Sequence, residues 1–342
     1  MKKTFFIFAA AAITLAACTK AENGPCTNQE NTVQETVPVR IQFDGVETKA
    51  AADDEGKINT LRAVLYRIVN SEKVYESYYD FDATKMTHTI YIDPSKEASS
   101  YFLAAYANQE TLNLASYQKD WSLFSDEKTG DFQMYGHAAI SKEIPPTISV
   151  PLNRQCSKVS VNKVSLDWTN DANNHKTFKL KSMYLMDAEG VFANVHAIGS
   201  NLETNSLWYN KNGYVKSAQD GFLYNAISSV EVKEGTPYTT SHVFYGYISD
   251  VAAYNSTATW APSGTRLVIE AEFDGKASYY AVNVNRGGLT NIRNKHFIFE
   301  NITITKPGSD TPYGALTVEE DIQVTFSVAE WTEVNHGNVT IQ

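Results

Sequence analysis

The chain has only three cysteines in 342 residues, and little for them to build. Cys18 closes an N-terminal apolar run, and Cys26 sits in a polar stretch with nothing to hold it near Cys156. A disulfide framework is therefore not what stabilises the fold, and neither Cys26 nor Cys156 has metal-site spacing. The seven histidines (His88, His137, His175, His196, His242, His296, His336) are scattered, with no H-E-x-x-H. There is no G-x-S-x-G elbow and no G-x-x-x-x-G-K-S/T phosphate cradle. No carboxylate pair stands out for glycoside hydrolysis. The chain is accordingly read as a non-enzyme with no cofactor and no metal site, and a surface-anchored hydrolase is the least favoured function. Clustered Lys/Arg is also missing and the net charge is −10, which argues against a nucleic-acid partner. Fixed-period repeats and low-complexity tracts are absent as well.

What is present suits a folded, strand-rich protein. Hydrophobic residues make up 43% and charged residues 20%, and the 20 Tyr and 16 Phe suit pleated surfaces. The length allows two domains, each with its own core. The N-terminus "MKKTFFIFAAAAITLAAC" has basic Lys2 and Lys3, then an apolar run from Phe5 to Ala17. That run is short for a bilayer span and reads as a secretory signal, residues 1–17. It ends in Leu15-Ala16-Ala17-Cys18, which resembles a bacterial lipobox. Small residues admit the signal peptidase, and the Cys18 thiol takes a thioether-linked diacylglycerol, so several acyl chains give a stable anchor. No second apolar run of about 18 residues follows.

In "VPVRIQFDGVETKAAADDEG" (37–56), Val37, Val39, Ile41 and Phe43 alternate with polar residues, predicting a half-buried strand. Lys49 then opens a run of small and acidic residues that reads as a protease-accessible seam. Further strands are predicted over 61–69, 88–93, 101–107, 177–186 and 242–248. Asp274-Gly275 marks a hairpin within 266–284, and Asn212-Gly213 a weaker one. Residues 112–124 carry the best helical spacing in their half, and Pro145, Pro146 and Pro151 mark a crossing between domains. Near the C-terminus Ile322, Val324, Phe326 and Val328 alternate. "DWTNDANNH" (167–175) reads as a polar loop rather than a Ca²⁺ site, and "NRGGL" (285–289) as a turn. Tyr78-Tyr79-Phe81, Trp208-Tyr209 and Tyr279-Tyr280 read as packing aromatics before sugar platforms. The fold class is all-β, two β-sandwiches with few short helices.

Two alternating strands at opposite ends of the chain raise a topological question. A cut after Lys49 would remove the first and leave an unpaired edge with a groove for four apolar side chains. At roughly 1.5–3 kcal/mol per side chain, the vacancy exposes on the order of 6–12 kcal/mol. A strand from a second subunit fills such a groove by β-addition. Repeated head to tail, that contact does not close and builds a filament. The plainer alternative keeps both strands as ordinary core strands and Lys49 as a loop lysine.

The residues that weigh on this choice are the lipobox, "VRIQFDGVETKAAADDEGKINTLRAVLYRI", "ISVPLNRQCSKVSVNKVSL", "IRNKHFIFENITITKPGSDTP" and "VEEDIQVTFSVAEWTEV". Together they resemble the FimA-like fimbrillins, lipoprotein-derived type V pilins of Gram-negative anaerobes. The resemblance implies two transthyretin-like β-sandwich domains in tandem, 50–150 and 151–342, after a lipidated propeptide, 18–49. It implies an outer-membrane lipoprotein precursor, removal of the strand Val37, Val39, Ile41, Phe43 by cleavage at Lys49-Ala50, and cell-surface fimbriae. Polymerisation follows by exchange with a C-terminal donor, Ile322, Val324, Phe326, Val328 and Trp331, from an identical or related subunit. Where well-known members have Arg at the junction this chain has Lys49, which a strictly Arg-specific protease would not cut, although the site remains a trypsin-type one. The role implied is adhesion and biofilm formation. A tip or accessory adhesin binding glycan, host protein or another bacterial surface is the alternative.

Overall fold

Alternation of apolar and polar residues becomes strand wherever it is strong, because side chains two apart share a face. The structure, a computed structural model, describes residues 36–44, 54–109, 121–168, 176–193, 208–249, 264–285, 289, 292–312 and 322–330. Its first strands are β1 (Val37–Asp44), β2 (Leu61–Val69), β3 (Glu72–Phe81), β4 (Thr87–Ile92), β5 (Ser100–Ala107), β6 (Trp121–Leu123), β7 (Met134–Ser141), β8 (Thr147–Pro151) and β9 (Asn153–Arg154). There follow β10 (Ser157–Val161), β11 (Val164–Leu166), β12 (Phe178–Met186), β13 (Ala188–Glu189), β14 (Val191–Ala193) and β15 (Trp208–Tyr209). The last are β16 (Tyr224–Glu231), β17 (His242–Gly246), β18 (Arg266–Phe273), β19 (Lys276–Asn283), β20 (Lys295–Ile304) and β21 (Ile322–Glu330). Helix among the described residues is confined to α1 (Asp220–Leu223) and short 3-10 turns such as Asp54–Gly56 and Phe124–Asp126. The protein is all-β.

Paired sheets enclose two hydrophobic cores. In the first, the sheet β4-β1-β8 and the sheet β3-β2-β5-β7-β9 share Ile41, Phe43, Ile90 and Val150 from one side and Leu61, Leu103 and Met134 from the other. In the second, β11-β20-β10-β17, with β21 added on β20, shares a core with β16-β12-β18-β19. Phe297, Phe299 and Ile302 of β20 meet Leu180, Leu185 and Leu267 there. The predicted hairpin joins β18 to β19: Asp274 (φ 48°) and Gly275 (φ 81°) both take the positive φ that a tight two-residue turn demands.

Other expectations change. The helical reading of 112–124 fails where it can be checked, because Trp121–Leu123 is β6, paired antiparallel with β14. A few apolar residues at mixed spacing are satisfied equally by a short strand and a turn; residues 110–120 lie outside the described ones. Pro145 and Pro146 precede β8 and Pro151 ends it, so these prolines bracket a strand of the first core's sheet.

The connection from β5 to β7 reaches out of its own half, burying Phe124 and Phe132 in the second core. Beside them Glu127 is buried, accepting from the Tyr247 hydroxyl at 2.7 Å and from the Gln133 N–H at 3.0 Å. Burial pushes the Glu127 carboxyl up to about 8, against the lowering effect of those two hydrogen bonds. Cys156 is a free, buried thiol.

Candidate functional site

β1 is the middle strand of its sheet. It runs antiparallel to β4 from Val37↔Ile92 to Gln42↔Thr87, and parallel to β8 from Arg40↔Thr147 to Asp44↔Pro151. Pro38, with no N–H to donate, falls where only the β4 ladder runs. Val39, Ile41 and Phe43 are exposed by no more than 1%, and Val37 is half-buried against the same core. Arg40 and Asp44, on the other face, are exposed.

The seat has a distinct end. The Phe43 ring lies 5.7 Å from Phe81 and 6.0 Å from His88, which stack on each other at 4.4 Å, and Tyr79 stacks on Phe81. The Phe43 N–H donates to the Met86 carbonyl at 2.9 Å, and the Leu152 N–H donates to the Asp44 carbonyl at 2.8 Å. The Thr87 hydroxyl donates to Gln42 Oε1 at 2.6 Å, and Ser149 donates to Asp44 Oδ2. Withdrawing β1 would therefore open two ladders, not the single edge expected from the sequence. It would unseat three fully buried side chains, worth about 5–9 kcal/mol, with Val37 adding less.

β21 sits differently. It pairs antiparallel with β20 from Ile304↔Ile322 to Lys295↔Glu330, with an irregularity between Phe299 and Asn301. The register sets Ile322, Val324, Phe326 and Val328 opposite Ile304, Ile302, Phe299 and Phe297, four residues of β20 that are fully buried. Among the described residues β20 is its one ladder partner, which puts β21 at the edge of the sheet those residues form. Cys18, Lys49, Ala50 and Trp331 lie outside the described residues.

The remaining candidates are dispersed. Tyr280 is fully buried in the second core, Tyr79 and Phe81 pack on the first, and Tyr209 meets Phe124 edge-on at 5.6 Å. Trp168 is buried, and 169–175 lie outside the described residues. Among the described residues no group of three or more His, Cys, Asp or Glu is placed to hold a metal ion. The sequence reading missed the aromatic wall around Phe43 and the parallel pairing of β1 with β8. The alternation in "TISVP" signals the latter strand, but parallel partners leave no mark on each other's sequence.

No family model matches the chain. The major fimbrium subunit FimA type-4 of Porphyromonas gingivalis W83 is 24% identical over 401 aligned residues, covering 98% of this chain and 99% of the relative. Among solved structures, a fimbrilin from P. gingivalis W83 superposes with a TM-score of 0.58 at 20% identity, covering 89% of this chain and all of that one. A candidate cell adhesion protein from Bacteroides eggerthii gives 0.58 at 17% identity, covering 87% and 96%. The chain is FimA-like, in sequence over nearly its full length and in fold.

Proposed function

We propose that the chain is a structural subunit of cell-surface fimbriae that takes part in adhesion. In this reading it is exported as an outer-membrane lipoprotein acylated at Cys18, and its two cores are two tandem domains, 50–150 and 151–342. A trypsin-type protease cuts after Lys49, and β1 leaves with the lipid. A C-terminal strand of a second subunit, 322–331, takes the vacated place, and the filament grows head to tail.

The observation that carries the reading is the seat of β1. A central strand with two ladders and three buried side chains leaves a gap one strand wide, whose walls, Ile90 and Ile92 on β4 and Ile148 and Val150 on β8, belong to the first core. Such a gap is costly to leave empty and is shaped for one extended segment with alternating apolar residues. While the chain is uncut, covalent continuity keeps β1 at high effective concentration, so no outside strand competes. Replacing Lys49→Gln is expected to leave a lipidated monomer that accepts no partner, read as loss of the high-mass ladder on surface extracts. Undiminished polymerisation of that variant would refute the seam.

A further inference from the structure

Downstream of the proposed cut stands a second trypsin-type bond, Lys57–Ile58, and Lys57 is exposed. An exposed basic side chain lets a protease find the site. Cleavage further requires the flanking backbone to open locally, and its rate then follows the population of the opened form.

The backbone here is held on both sides. Upstream, in the turn Asp54–Gly56, the Glu55 carboxylate is 2.7 Å from Lys158 Nζ on β10 and accepts from the Tyr245 hydroxyl on β17 at 2.5 Å. The Glu55 carbonyl accepts from Arg154 Nε at 2.8 Å, and Arg154, 2% exposed, also donates to Asn294 Oδ1 at 3.3 Å. Downstream, the Lys57 carbonyl accepts from Asn108 Nδ2 at 2.7 Å. Asn108 Oδ1 accepts from the N–H groups of Asn59 at 2.7 Å and Thr60 at 3.3 Å, and Asn108 is itself buried with φ 58°. Asparagine tolerates that left-handed backbone better than most residues. The chain to either side of Lys57 is thus fastened to β10, β17 and the end of β5.

We infer that Glu55 and Asn108 lock the backbone around Lys57, deny the Lys57–Ile58 bond to trypsin-type proteases, and so set where the processed subunit begins. This rests on the processing proposed above. Glu55 is the positioning residue, since its carboxylate is shielded and is the shared acceptor for Lys158 Nζ and the Tyr245 hydroxyl, a contact that truncation of the side chain removes. Release of β1 then leaves the turn 54–56 in place, because the partners that hold Glu55 lie on β9, β10 and β17 and not in the sheet of β1.

The test is trypsin digestion of the full chain under native conditions, with new N-termini read by mass spectrometry. Wild type is expected to accumulate Ala50 and almost no Ile58. Glu55→Ala is expected to raise the rate of Ile58 appearance about tenfold or more, and Lys57→Gln added to it removes that product. Glu55→Gln keeps the shape and one hydrogen bond, and is expected to give an intermediate rate at an unchanged thermal midpoint, which decides the matter if Glu55→Ala does not fold. Ile58 appearing in wild type as fast as Ala50, or Glu55→Gln as protected as wild type, overturns the lock. Ile58 from the variants with no Ala50 from wild type would instead sink the Lys49 reading and leave the lock standing.

Discussion

β1 and β21 look alike as sequence: each sets four apolar residues at every second position, close to one end of the chain. They are held unlike. β1 has a ladder on each side and three side chains sealed in the first core, whereas β21 has one described ladder, along β20. Alternation reports how many side chains meet a core and is silent on how many backbone edges are paired, because every residue but proline carries the same N–H and C=O. A strand with two ladders resists leaving and leaves a deep vacancy. A strand with one described ladder is held by fewer backbone bonds, which in the proposed assembly fits β1 as the strand that is replaced and β21 as the strand that replaces it.

The strongest challenge to this contrast is truncation inside the seat. Phe43→Ala, in the uncut chain, should cost about 3–5 kcal/mol in urea unfolding. A loss below 1 kcal/mol would mean that the aromatic wall of Phe81 and His88 is not a tight seat.

The next largest effect should come from outside both strands, at Glu127. Its folded-state pKa of about 8 lies above the unfolded value of 4.5, so the folded protein holds a proton that the unfolded chain gives up. Stability is then fullest below pH 4.5 and falls, by a few kcal/mol, as pH rises to 8. Asp187, pushed up to about 7 by burial against the pull of Arg266, adds a slope of the same sign. Glu127→Gln should remove about half of the decline between pH 5 and 8, leaving the part due to Asp187. An unchanged slope would place the titration elsewhere.

Smaller effects probe the ladders themselves. In native-state hydrogen exchange the β21 amides bonded to β20 should exchange about tenfold faster or more than those of β1. Equal protection would erase the distinction between edge and centre. Thr87→Val, which removes the hydroxyl donated to Gln42, should cost only about 0.5–1.5 kcal/mol.

Much of this architecture is legible in the residues, and the gaps have physical causes. Val39, Ile41 and Phe43 announce a buried face, and Asp274-Gly275 announces its turn, since both signals are local. The position of β1 between β4 and β8 is not local: Ile92 and Thr147 lie far along the chain, and their ladders are built from backbone atoms. The failed helix at 121–123 has the same origin, because β6 exists only by pairing with β14. The anchoring of Glu55 by Lys158 and Tyr245 spans more than a hundred residues, and no spacing rule connects them.

The central claim, that β1 is temporary, is tested most directly by the N-terminal residue of subunits recovered from assembled surface filaments. The account predicts chains that begin at Ala50 and retain residues 322–342. Filament subunits that still carry Val37–Asp44 would contradict it.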